Sequence, residues 1–104
     1  MQHELFRNPN IRSRGAFPFV VVMQADLASD GETRLVAPLA LHAGPLASGV
    51  SKALPVIEHD GQRYAVALPL ISVLPRRQLR QVEGSLARYR DDITRALDWL
   101  LWGV

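Results

Sequence analysis

Between positions 17 and 24 the chain is almost entirely apolar, with Phe17, Phe19, Val20, Val21, Val22 and Met23 in one nearly unbroken run. A strand with one face in water alternates apolar and polar residues. A continuous run implies burial on both faces, as in a barrel or beneath a dimer mate. Pro18 places the run at a strand start or a sheet edge, because proline cannot donate to a ladder. Whatever fold this chain adopts must therefore cover that strand from both sides.

The neighbouring segments supply more strands. Glu4, Leu5 and Phe6 form a short one, residues 28–32 read as a turn, and residues 33–39 form the next strand, ended by Pro38. Residues 55–59 and 62–66 flank Asp60 and Gly61, a dipeptide that accepts positive φ at both centres of a type I′ turn, so this is a hairpin. Residues 68–74 read as another short strand between Pro69 and Pro75, and Arg76, Arg77 and Arg80 follow as a hydrated basic loop. Residues 43–52 are rich in Gly, Ala, Ser and Pro without a period and read as a loop with at most a short helix.

Helical periodicity occurs at the end of the chain. On a wheel of about 100° per residue, Leu86, Tyr89, Ile93, Ala96, Leu97, Leu100 and Leu101 gather on one arc, the expected core side, with Ser85 as N-cap. Trp99 and Trp102 fall on the other arc, three positions apart, beside Arg88, Asp92, Arg95 and Asp98. Two large aromatics on a charged face are either a contact surface for another molecule or rings buried by a barrel rim or a dimer mate. Gly103 stops the helix, since glycine takes left-handed geometry without steric cost. The expectation is one mainly β domain over residues 1–104, with five or more antiparallel strands and a C-terminal α-helix.

Composition bounds the function. The 104 residues carry a formal charge of +2, and all twelve basic residues except Lys52 are arginine. So small an excess gives no ground for nucleic-acid binding. Cysteine is absent, which excludes disulfides, thiol catalysis and cysteine-ligated zinc and fits a cytoplasmic location. No apolar run approaches the ~18 residues of a membrane span, and Glu4 and Arg7 interrupt the N-terminus where a signal peptide would be apolar. His3, His42 and His59 stand on separate elements without a second ligand at metal spacing and read as surface or turn residues. Asp91, Asp92 and Asp98 share the helix with Arg88, Arg90 and Arg95 and read as ion-paired. Gly44 and Gly49 lack the lysine–serine pair of a phosphate loop. Neither a cofactor nor a metal is expected.

Five segments, at their separations, resemble one family. Met1 and Gln2, residues 19–27 (Phe19, Val20, Val21, Val22, Met23, Gln24, Ala25, Asp26, Leu27), residues 33–39, residues 72–75 and residues 92–104 all stand in the order found in the CcdB toxins, which inhibit DNA gyrase and end in a tryptophan-glycine-isoleucine tripeptide. The resemblance covers nearly the whole chain. It implies the SH3-like barrel of the CcdB/MazF type and a two-fold homodimer. It also implies that Trp102, Gly103 and Val104, flanked by Trp99, Asp98 and Leu101 and by Leu27 and Ala28, bind the A subunit of DNA gyrase. A CcdA-like antitoxin would neutralise the toxin and recruit it as a transcription co-repressor, with operator DNA reached only through the antitoxin complex. Val104 stands where the family has isoleucine, Leu101 where the plasmid-type toxin has an aromatic, and Asp98 where it has a neutral amide, while Leu27 and Ala28 replace a bulkier aliphatic pair.

The same barrel also carries MazF-type endoribonucleases, so fold alone does not choose between the activities. An arginine acid with a hydroxyl partner would be needed, and Arg34 with Thr33, or Arg14 with Ser13, could be cast for it. The competing reading of Arg34 is a strand residue making a surface ion pair.

Overall fold

The computed structural model describes residues 1–23, 31–42 and 54–103; the expectations for residues 27–28, for residues 43–52 and for Val104 lie outside them. Among the described residues, seven antiparallel strands form one curled half-barrel sheet: β1 (Glu4–Arg7), β2 (Phe19–Val22), β3 (Thr33–Leu41), β4 (Val56–His59), β5 (Gln62–Val66), β6 (Ser72–Pro75) and β7 (Val82–Ser85). They run β4-β5-β3-β2-β1-β7, with β6 paired to the first half of β3. One helix, α1 (Arg90–Trp102), ends the chain. The mainly β fold with a C-terminal helix thus stands as expected.

The apolar run becomes β2, and both of its faces are covered. Val21 joins Leu5, Ala37, Leu39, Ile57, Val66, Leu86 and Ile93 in the larger core under α1. Val20 and Val22, one step away in a period of two, pack with Phe6, Val36 and Leu79 in a second core on the opposite face. Asp60 and Gly61 both take positive φ (54° and 80°) between the paired residues His59 and Gln62, the two-residue turn the sequence implies.

Several boundaries differ from the expectation. Pro38 does not end its strand; it lies inside β3, opposite Val20. It is tolerated because β6 pairs with β3 only as far as Val36 while β5 pairs from Leu39 onward. At that handover Pro38 needs to supply only its carbonyl, which accepts the Ala67 N–H at 2.8 Å. Residues 68–74 split into a 3-10 turn, Leu68–Leu70, and β6. Strand β7 spans residues for which no strand is expected. Its pairing with β1 skips Glu83, since Leu5 faces Gly84 and Phe6 faces Val82; such a bulge breaks the alternation that makes a strand readable. The helical segment opens as a 3-10 turn, Ala87–Tyr89, so α1 proper starts at Arg90. Ser85 does not cap the α-helix; its Oγ accepts the Ala87 N–H at 3.2 Å, one residue ahead of Leu86, the N-cap of the 3-10 turn.

The two terminal strands of the sheet approach each other where β7 meets the end of β4. A Cβ built on Gly84 would lie 2.9 Å from the His59 ring. That ring is not loose, for it meets Phe19 edge to face at 5.2 Å. His59 is therefore a packing residue as well as a turn residue. Gly84→Ala should push this ring and its aromatic neighbour apart and destabilise by about 1–3 kcal/mol, as overpacking does; thermal melting checks it.

His3, expected as a surface or turn residue, lies in a turn but is buried. It takes φ 67° in a turn closed by the Glu4 N–H on the Met1 carbonyl, and its own carbonyl accepts the Leu86 N–H at 2.7 Å. Burial, and secondarily the Arg90 guanidinium, hold its imidazole below the ordinary 6.5. The unfolded chain therefore takes up a proton that the native state refuses, and stability is lost as pH falls below about 6.5 toward the lowered native value. The melting temperature should drop between pH 7 and pH 5, and His3→Asn, which tolerates positive φ, should drop less.

Candidate binding site at the helix end

Helix α1 is held firmly at its start. The Tyr89 hydroxyl accepts the Glu58 N–H at 3.0 Å, and Arg88 donates to the Glu58 carbonyl at 3.1 Å while its guanidinium stacks 4.9 Å from the Tyr89 ring. Asp91 and Asp92 sit in the first turn, where negative charge suits the helix dipole. Leu86, Ile93 and Ala96 are buried and Leu97 is partly buried against the larger core.

Beyond Leu97 the helix is largely exposed. The expected core arc ends there: Leu100 is 39% exposed and Leu101 59%, so neither belongs to the core, contrary to the wheel. Trp99 is 37% exposed and Trp102 73%. These four apolar residues are consecutive, and at 3.6 residues per turn they point in almost every direction. No single flat sheet could cover all of them. Gly103 then ends the helix in left-handed geometry (φ 74°, ψ 17°), its N–H donating to the Trp99 carbonyl at 2.8 Å. A helix that is apolar all round requires burial on more than one side, and a contiguous exposed apolar patch marks an interaction surface.

The structure brings Asp98, Trp99, Leu101, Trp102 and Gly103 together at this tip. Asp98 is exposed, and among the described residues it has no ion-pair partner; the one ion pair on the helix joins Arg95 to Asp92 at 3.6 Å. Trp99 turns toward the sheet and helps line an open groove of about 690 Å³ with Pro55, Val56, Ala96 and Gly103. Leu100 belongs to the tip although the wheel assigned it to the core. The signal that could have found it is the unbroken apolar run of residues 99–102, which outlasts any one face.

The residues proposed for ribonuclease chemistry are engaged elsewhere. Arg34 is 3% exposed, which corrects the expected surface ion pair. Its Nη1 donates to the carbonyls of Gly31 (2.6 Å) and Thr33 (2.8 Å), and its Nε lies 3.2 Å from the Met1 sulfur. A guanidinium used this way ties a turn to the N-terminus. Ser13 Oγ accepts from the Asn8 side chain at 3.0 Å and Arg14 Nε donates to the Asn8 carbonyl at 2.8 Å, so this pair shapes the loop after β1. Among the described residues no cluster of His, Asp or Glu could hold a metal ion, and no helix is long and apolar enough to cross a membrane.

The family model described as CcdB protein matches residues 2–103. This chain belongs to the CcdB family, toxins of toxin–antitoxin systems that act as gyrase poisons. A search of curated proteins found no significant match.

Proposed function

We propose that this chain, as a single toxin domain over residues 1–104, poisons DNA gyrase by seating its helix tip on the enzyme's A subunit. Trp102 and Trp99 supply the anchors, Leu101 adds apolar area, Gly103 lets the backbones approach closely, and Val104 fills an apolar niche. Asp98 stands at the rim, and Leu27 and Ala28 are assigned to the same contact. The observation that carries this reading is the helix end, apolar on every side and exposed, in a chain of the CcdB family. Tryptophan is suited to the role, because it brings a large rigid contact surface and is enriched among interface residues worth ~2 kcal/mol or more.

The active species is a cytoplasmic homodimer that presents two tips to one symmetric target, which gains avidity from the linkage. A CcdA-like antitoxin covers the surface and carries the toxin to operator DNA as a co-repressor. The action needs no catalytic group and no cofactor. Induced expression in a gyrase-sensitive bacterium should stop growth, break the chromosome and leave cellular RNA intact. Arrest with RNA cut and chromosomes whole would establish the ribonuclease instead.

A further inference from the structure

Six of the eleven arginines line two open grooves that share Arg80. Arg7, Arg12 and Arg14 line an open groove of about 930 Å³ together with Arg80, and Arg80 also borders a second groove of about 610 Å³ with Arg76 and Arg77. The grooves run along the β1–β7 ladder, where Phe6 pairs with Val82 and Glu4 with Ser85, and no residue of α1 lines either of them. The 3-10 turn Arg76–Gln78 is held down by buried Leu79 behind it and by the Arg76 N–H on the Glu32 carbonyl. Arg7, Arg12, Arg76, Arg77 and Arg80 are exposed. Among the described residues none of the five has an ion-pair partner. The two grooves hold six arginines against three glutamates, an excess of three, where the whole chain's formal excess is two.

A run of unpaired guanidinium groups repels itself unless an anion occupies it, and a guanidinium matches phosphate oxygens in a two-pronged fork. The neutral amides of Asn10, Gln78 and Gln81 along the first groove are the usual companions of arginine on a nucleic-acid backbone. Single strands are held by stacking bases on aromatic rings, and the one aromatic bordering these grooves, Phe6, is buried. From this juxtaposition we infer that the arginine-lined grooves form a second binding surface, for the phosphate backbone of duplex DNA, contacted directly and without sequence preference.

The contact is independent of the gyrase reading and is tested without gyrase. The purified protein is titrated into a short labelled DNA duplex of mixed sequence and followed by fluorescence anisotropy. With four to six phosphates engaged, affinity should fall roughly 10²–10³-fold between about 50 and about 200 mM salt. Arg77→Ala and Arg80→Ala should each weaken binding and lower the salt slope by about 0.9, while Arg77→Lys keeps most of it. These side chains are exposed, so the variants should melt with the parent. Trp102→Ala should bind the duplex as the parent does. The inference is overturned if the duplex is not bound at the lower salt, or if the arginine variants bind like the parent. Tighter binding of the single strand also overturns it, as does displacement of the duplex by poly-glutamate at equal charge, which would make the ligand an acidic protein segment.

Discussion

Trp102→Ala should abolish growth arrest while leaving the protein folded and melting within a few degrees of the parent. The ring is the most exposed of the large apolar side chains on the helix, and surface substitutions away from caps and cores usually change stability by no more than ~0.5 kcal/mol. As an interface anchor, the same ring should contribute ~2 kcal/mol or more, at least a roughly 30-fold loss of affinity at each tip. In the proposed dimer, two tips on one target would enlarge the loss, because avidity depends on both. Removing residues 102–104 should have the same effect on toxicity with a somewhat larger fall in melting temperature, since the left-handed glycine cap goes too. A variant that unfolds instead would mean that Trp102 is buried in the working molecule.

Ile93→Ala should do the reverse. Ile93 is 1% exposed in the core shared by α1, β1, β2 and β3, and truncating such a residue leaves a cavity that costs ~2–5 kcal/mol. For a chain of this length that corresponds to a fall in melting temperature on the order of 10 °C or more. Soluble yield should fall with it, but whatever protein folds should still stabilise gyrase-cleaved DNA, because the tip residues are untouched. Melting and activity measured on both variants separate the core half of the helix from its tip.

The core was legible wherever the residue pattern has a single physical cause. The apolar run around Val20, Val21 and Val22 could only be a strand covered twice, and Asp60 with Gly61 could only turn sharply; both stand in the structure. Local rules fail where they meet a tertiary exception. Pro38 sits inside a strand because β3 changes partners there. Strand β7 is disguised by its bulge at Glu83.

For the helix, periodicity identified the face toward the core but not where that core ends, so Leu100 and Leu101 were assigned to a core that stops at Leu97. Arg34 reads as a surface residue on charge alone; only the carbonyls of Gly31 and Thr33 explain its burial. The arginine-lined grooves were hidden for a similar reason, since Arg7, Arg12 and Arg80 are scattered along the chain and meet only through the pairing of β1 with β7. The tip itself was visible in advance because Trp99, Trp102 and Gly103 lie together in sequence as they do in space.

The most direct measurement is the amount of DNA that purified gyrase holds cleaved in the presence of saturating toxin, with the parent chain and Trp102→Ala compared side by side. The parent should raise cleaved complexes well above background and Trp102→Ala should leave them at background, with both proteins folded by circular dichroism. Equal cleavage by the two proteins, or none by the folded parent, would contradict a gyrase poison acting through this helix tip.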